Sequence, residues 1–462
     1  MSVPLRSRTT YPGTEAEFRV FIFFLQLRET LHGGRVYVFS ILVLVTWALW
    51  CVKASLSRRY RPWTNDYETT ASVVIPVVDE PVGLFHEVLD LITEQHPHQT
   101  IVVINGPRNE KLERVCDTYP GVQWMWTAVP GKRNAIDEGL KLCTGDIAVL
   151  VDSDTLWTPA TLTELVKPFA NRKVGGVTTN QRIVDYDRNI LTRWADWLES
   201  IRVQYSMPAM SVLGQVGCLP GRTIAFRRSI LEAAMPEFLN ARFLGVFLEV
   251  SDDRTLTNLC LKQGYRTVYQ STSLVYTDAP VGVQKLAKQQ LRWARGSQYN
   301  TLRMLPWMMR NAPMLALFYI SDIVMPFLLL AATTGFIVRV MNGENVNFYE
   351  GITFGYGAVV GTAIIVVLTL TATWISAYVR QSRHFDERPR DLWLLPAFTF
   401  LNTFMLMPIR IYGFMRMAKN DGWGTRRNAF DGKDTQTRSN PWAAIPYVLA
   451  FTFLLIGVAY HG

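Results

Sequence analysis

None of the five cysteines (Cys51, Cys116, Cys143, Cys218, Cys260) forms a Cys-x-x-Cys pair. That excludes the paired-thiol motifs, and free thiols in a reducing compartment are expected. Nothing near the start reads as a basic segment, an uncharged run and a small-residue cleavage site, so no cleavable leader is expected. Charge is missing in long blocks. Residues 36–52, 351–379 and 442–460 hold none, and 312–338 hold only Asp322. A bilayer core takes about 20 apolar residues as a helix, so these are four candidate spans. A purely soluble protein is excluded.

Between the first two runs lies a polar stretch, roughly 55–311, long enough for a full domain. Lys53, Arg58, Arg59 and Arg61 follow the first run, the loop 341–350 has two acids and no base, and 380–391 has four arginines against three acids. The positive-inside rule then puts the large domain and 380–391 in the cytoplasm and 341–350 outside. The net charge of +9 then belongs largely to the membrane-facing inner surface, and nucleic acid is not needed to explain it. Residues 392–417 are read as a re-entrant or interfacial helix broken at Pro408, leaving 418–440, within a basic stretch, cytoplasmic. Residues 15–33, interrupted by Arg19 and Arg28, are also read as interfacial.

Four β-branched runs recur at 71–76, 100–105, 122–127 and 146–151, with helix-like patterns between them. Near-continuous apolar runs suit strands buried on both faces. The alternation predicts an α/β sheet whose ligands bind at the carboxyl ends of the strands, after Pro76, Ile104 and Val151.

The carboxylates fall where that rule places chemistry. Asp152 and Asp154 in "VDSDT" can hold Mg²⁺ or Mn²⁺ with positions left for phosphate; equally, Asp154 or Thr155 can cap a following helix. Lys132 and Arg133 in "PGKRNA" open a helix, a natural pyrophosphate site, or else form a solvated basic turn. In "FLEVSDDRTLTN", Glu249, Asp252 and Asp253 crowd together, so one needs a raised pKa or a cation such as Arg254. A general base and a capped helix N-terminus both fit. In "QQLRWARGS", Arg292 and Trp293 suit either an interfacial anchor or a phosphate partner beside a flat sugar-binding face.

Taken together, Asp-x-Asp, Asp-Asp-Arg and Gln289-x-x-Arg292-Trp293 resemble the processive family 2 glycosyltransferases that build cellulose, chitin and hyaluronan. "DSDT" and "DDRTLTN" look most like hyaluronan synthase, and "WGTR" at 423–426 resembles the family's gating segment. The resemblance implies a GT-A-like α/β nucleotide-sugar-binding cytoplasmic domain plus an α-helical transmembrane bundle. The corresponding boundaries are 1–55 for the N-terminal interfacial helix and span and 56–295 for the catalytic domain. Residues 296–462 supply interfacial pieces (296–311, 392–417), spans at 312–338, 351–379 and 442–460, and a gating loop at 418–440.

By the same resemblance Asp152 and Asp154 hold the metal, Mg²⁺ or Mn²⁺. Asp253 is the base, with Asp252 and Glu249 next in line. Gln289, Arg292 and Trp293 hold the diphosphate and floor the acceptor pocket. Lys132 and Arg133 lie by the nucleotide, Cys218 and Gly221 on the acceptor loop, and Trp423 and Arg426 on the gate. Asn105 stands where the family usually has a uracil-reading aspartate, and Asp79 is a candidate to supply that carboxylate. The implied activity is inverting polymerisation of UDP-sugars into a secreted polysaccharide by a multi-pass plasma-membrane enzyme. The alternative is transfer of one sugar to a membrane lipid. Asp322, Asn402 and Arg410 are expected to face a channel interior, snorkel or pair structurally.

Overall fold

The computed structural model describes residues 38–247, 250–341, 357–419 and 441–461. Glu249, Trp423, Arg426, the segment 15–33 and the loop 342–350 lie outside the described residues. The chain divides after Leu49 into two compact units, and the second carries everything below except the start of the first helix, α1 (Val38–Arg59).

The α/β core alternates as the sequence pattern requires. Its elements run β1 (Ala71–Val77), α2 (Val82–Thr93), β2 (Gln99–Asn105), α3 (Glu110–Asp117), β3 (Val122–Thr127), α4 (Lys132–Leu142), β4 (Ile147–Val151) and β5 (Thr155–Trp157). There follow α5 (Thr161–Val166), β6 (Val174–Ile183), α6 (Ile190–Ile201), α7 (Met207–Val212), β7 (Thr223–Arg227), α8 (Arg228–Leu239), a small hairpin β8–β9 (Arg242–Phe243, Val246–Phe247), α9 (Asp252–Lys262) and β10 (Arg266–Thr277). An eight-stranded sheet has the order β3-β2-β1-β4-β7-β6-β10-β5. All four runs read from the sequence are strands. β1 and β4 are buried along their whole length, which is why they lack alternation, and β1 pairs in parallel with both β2 and β4.

The sheet is mixed rather than parallel throughout. β7 enters antiparallel between β4 and β6, and β5 pairs antiparallel with β10. Asp152 and Asp154 therefore lead into β5, not into a helix. Their turn is closed by Thr155 N donating to Asp152 O at 3.1 Å.

After β10 come α10 (Val283–Asn311), α11 (Pro313–Met341), α12 (Ala358–Glu387), α13 (Asp391–Leu401), α14 (Met407–Met415) and α15 (Ile445–His461). Among the described residues three stretches are long and apolar enough to cross a membrane: Pro313–Ala331, Val359–Glu387 and Asp391–Met415, with a shorter apolar helix at Pro441–Phe453. This is a membrane protein. The expected break at Pro408 is absent. One helical run continues from α13 to α14 through a π-turn, Asn402–Leu406, whose wider winding accommodates a residue without an N–H. Residues 296–311 are likewise no separate piece. They complete α10, so the boundary expected at 295 falls inside one helix.

Two apolar clusters join the core to the membrane helices. Trp194 and Trp197 of α6 pack with Phe385 of α12 and Phe398 of α13. Val246, Val250 and Tyr299 meet Phe327, Phe414 and Ala450.

Candidate active site

A cavity of about 470 Å³ opens at the carboxyl end of β4 and continues among the membrane helices. Lys132, Asp152, Asp154, Cys218, Gly221, Asp252, Asp253, Gln289, Arg292 and Trp293 all line it. Ten residues picked from five separate stretches thus meet on one surface.

Gly221 sits at the centre. A Cβ there would lie 3.4 Å from the Asp253 Cβ, 3.4 Å from Lys132 Nζ and 3.9 Å from Asp152 Oδ2. Its own N–H donates to Asp253 Oδ2 at 3.3 Å, while Ser251 Oγ (3.3 Å) and Arg254 N (2.7 Å) donate to Oδ1. Cys218 Sγ lies 3.8 Å from Asp253 Oδ2. Burial pushes the Cys218 thiol up to about 12, so it is a proton donor and not a thiolate. Asp253 is therefore held by donors on both oxygens and faces the cavity.

Lys132 forms an ion pair with Asp152. Burial opposes its charge, but Asp152, Asp252 and Asp253 together hold the ammonium above its ordinary value. Asp252 is more deeply buried than Asp253. It is only 5% exposed, and burial raises its carboxyl despite Arg133, whose Nε donates to Asp252 Oδ1 at 2.7 Å. The guanidinium bonded to Asp252 is thus that of Arg133 and not that of Arg254. Arg254 turns away, donating to Thr301 Oγ1 at 2.7 Å and to Ser297 Oγ, with its guanidinium 3.9 Å from the Tyr319 ring centroid.

Three expected site residues lie elsewhere. Arg133 is buried, also donates to Phe238 O at 2.9 Å, and does not line the cavity. Burial opposes its charge too, yet Asp252 holds it above the usual value. Asn105 is 1% exposed. Its amide donates to Val77 O and accepts from Gly131 N, both at 3.1 Å, pinning the helix-opening glycine to the end of β1. One N–H and one lone pair of the amide are thereby committed to the backbone. Asp79 is solvent exposed and outside the cavity lining, whereas the next residue, Glu80, is buried and accepts from Ser153 Oγ at 2.8 Å.

Gln289, Arg292, Trp293 and Gly296 recur at three- and four-residue spacing on α10 and so share a face. Gly296 has a steric role, since a Cβ there would stand 2.5 Å from the Ser251 Cβ. Trp293 is 39% exposed to the cavity, and the Arg222 guanidinium lies 5.9 Å from its ring. Sequence reasoning passed over Arg222, Arg202 and Glu199. Glu199 pairs with Arg222 at 3.2 Å and Arg202 at 3.1 Å below the tryptophan. Only their convergence from the residue before β7, from α6 and from the turn after α6 gives them meaning, and no local motif signals it. Asp322 and Arg410 both line the membrane end of the cavity, while Asn402 instead accepts from Trp194 Nε1 at 3.1 Å.

Residues 69–296 match the family model described as glycosyltransferase like family 2. A hyaluronan synthase of Streptococcus pyogenes serotype M3 is 28% identical, over 83% of this chain and 90% of its own. An N-acetylglucosaminyltransferase of Mesorhizobium japonicum is 27% identical over 81% of this chain and 84% of its own. A mannosyltransferase from Pyrobaculum calidifontis, solved with GDP-Man and Mn²⁺, superposes with a TM-score of 0.55 over 83% of this chain and 100% of its own. At 18% identity that likeness establishes the GT-A-like fold alone. The cavity with its carboxylates thus sits in a family 2 glycosyltransferase domain, and the protein is a membrane hexosyltransferase similar to hyaluronan synthases.

Proposed function

We propose that this enzyme polymerises UDP-sugars by inverting transfer and passes the product across the membrane through its own helices. The observation that carries the reading is the continuity of one cavity. It runs from Asp152 and Asp253, past Trp293, to Asp322 and Arg410 among the membrane helices. Transfer of a single sugar needs no such extension. The catalytic domain would then face the cytoplasm, beside the donor, in a multi-pass plasma-membrane protein.

In the proposed reaction an acceptor hydroxyl attacks the anomeric carbon. The carbon–oxygen bond to the diphosphate breaks, and the proton passes to Asp253. Arg292 and Gln289 hold the leaving diphosphate. Fixed cationic donors at a developing charge are worth several kcal/mol, and a placed base contributes on the order of 10²–10⁴ in rate. Trp293 offers its apolar face to the acceptor ring. Asp79, exposed just beyond β1, is the carboxylate placed to read uridine in this proposal; unchanged UDP affinity in Asp79→Ala would remove it from that role.

Asp152 and Asp154 fit a divalent cation. They are hard oxygen donors on one turn, and the ammonium drawn against Asp152 marks that carboxylate as cation-seeking. Among the described residues no group of three or more ligating side chains gathers there, so phosphate oxygens would complete the shell. Mg²⁺ or Mn²⁺ bound there supplies Lewis-acid stabilisation of the diphosphate.

The deciding experiment measures UDP release by the purified protein with Mg²⁺ or Mn²⁺, using single UDP-sugars and pairs, and sizes each product. High-mass product supports the proposal, and turnover that needs a pair marks an alternating polymer. Small or lipid-linked product alone overturns it in favour of single transfer. Asp253→Asn is expected to abolish turnover while UDP still binds; retained turnover would move the base to another carboxylate.

A further inference from the structure

A second cavity, of about 290 Å³, lies away from the active site. It is bounded by Arg59 at the end of α1, Arg61 and Trp63 just beyond, Val212 at the end of α7, Gly214 after it, and Arg266 at the start of β10. Among the described residues no Asp or Glu lines it. Among the described residues none of the three arginines has a carboxylate partner; Arg61 bonds only to the carbonyls of Arg58 and Tyr60, at 3.0 and 2.7 Å.

The cavity is built, not a chance gathering of loose charge. Tyr60 Oη donates to Tyr269 O at 2.8 Å and accepts from Ser271 N at 3.0 Å. Trp63 exchanges two bonds with the Gln270 side chain, at 3.0 and 2.9 Å. The segment carrying Arg59 and Arg61 is thereby pinned to β10, facing Arg266. On the opposite wall Gly214 takes a φ of 69°, and a Cβ there would meet Arg266 Cδ at 2.9 Å. The missing side chain makes room for the arginine stem.

Three arginines lining one cavity, with no carboxylate partner among the described residues, form a site for an anion, and their planar forks match phosphate. The position selects its source. Val52 ends the uncharged part of α1, and at about 1.5 Å per residue Arg59 lies roughly 10 Å beyond it. The headgroup layer is about 5–8 Å deep on each side, so lipid phosphates fall within an arginine side chain's reach. Val212, 40% exposed, gives the same cavity an apolar lip. We propose that this cavity binds the phosphate of an anionic phospholipid headgroup.

The test uses the full-length protein in nanodiscs of mixed phosphatidylcholine and phosphatidylglycerol, with retained lipid counted by native mass spectrometry. Arg61→Gln with Arg266→Gln is expected to weaken phosphatidylglycerol retention about thirtyfold, at roughly fivefold per arginine near an anionic surface. Arg61→Lys with Arg266→Lys should recover most of it. The same charge change on a distant helix, Lys111→Gln with Arg114→Gln, should leave retention unchanged. Wild-type retention in the Arg61/Arg266 variant, or an equal loss in the Lys111/Arg114 variant, overturns the proposal. Inorganic phosphate displacing all the bound phosphatidylglycerol at millimolar concentration would also overturn the lipid assignment, leaving a soluble phosphate as the ligand.

Discussion

Ser251 is a non-glycine residue in the left-handed region, with φ 66° and ψ 57°. Such a conformation costs on the order of 1–3 kcal/mol and persists only where its surroundings enforce it. Here it is clamped between α9 and the bare backbone of Gly296, and it aims Asp253 at Gly221. Gly296→Val should therefore disturb the carboxylate more than the nucleotide pocket. The expected result is a large loss of turnover with UDP affinity retained, and a stability loss of about 1–3 kcal/mol from overpacking, read by thermal unfolding in detergent. A second residue predicts pH dependence. Burial disfavours the Glu199 carboxylate, but Arg202 and Arg222 outweigh this and hold its carboxyl below the ordinary value of 4.5. The unfolded chain then takes up the proton first as pH falls. This stabilisation is complete above about 4.5 and is lost as pH falls through the folded value. Glu199→Gln should flatten the decline in melting temperature below that pH.

At the level of elements, the elbow between α12 and α13 is docked on α6 by buried charge. Asp391 is fully buried and bonds to Arg193 at 2.9 Å and to His384 at 3.0 Å. Asp196 beside it is also buried and pairs with Arg388 at 3.2 Å. Burial raises the Asp196 carboxyl in spite of that arginine. Removing one member of such a pair strands the other, at a cost of about 3–5 kcal/mol. Asp391→Ala should show that cost as an early unfolding transition, with α6 exposed to protease. The two π-turns, Arg202–Ser206 and Asn402–Leu406, are each followed by Met-Pro. In both, a proline that cannot donate sits where the chain rewinds to α-helix, and Ser206 and Leu406 both border the active-site cavity. The sequence displays the prolines, but whether a proline breaks a helix or widens one turn depends on what packs around it. Here Gly413 lets α14 lie against α10, where a Cβ would meet the Ala294 Cβ at 2.9 Å, and the helix stays whole.

For the molecule as a whole, α10 belongs to the catalytic domain and to the membrane region at once. Its second half holds α9 in place: Tyr299 Oη donates to Val250 O at 2.6 Å, and Asn300 Oδ1 accepts from Asn258 Nδ2 at 3.3 Å. A fragment covering 56–311 should therefore bind UDP, measured by calorimetry, whereas one covering 56–295 should bind far more weakly. Equal affinity would mean that α9 stands without its partner helix.

The sequence alone determined what depends on local pattern. The uncharged runs required a membrane, the buried β-branched runs required strands, and Asp152, Asp253 and Arg292 lay in motifs whose chemistry is short-range. The tertiary structure decided matters of pairing across distance. Arg133 reads as a phosphate ligand on its helix, yet a lone buried charge must find a counter-charge, and it finds Asp252 from 119 residues away. Asn105 reads as a base-binding residue, yet burial obliges its amide to satisfy backbone groups. Burial and the choice of partner are not written in any one segment, because they arise only when segments distant in sequence exclude water from one another.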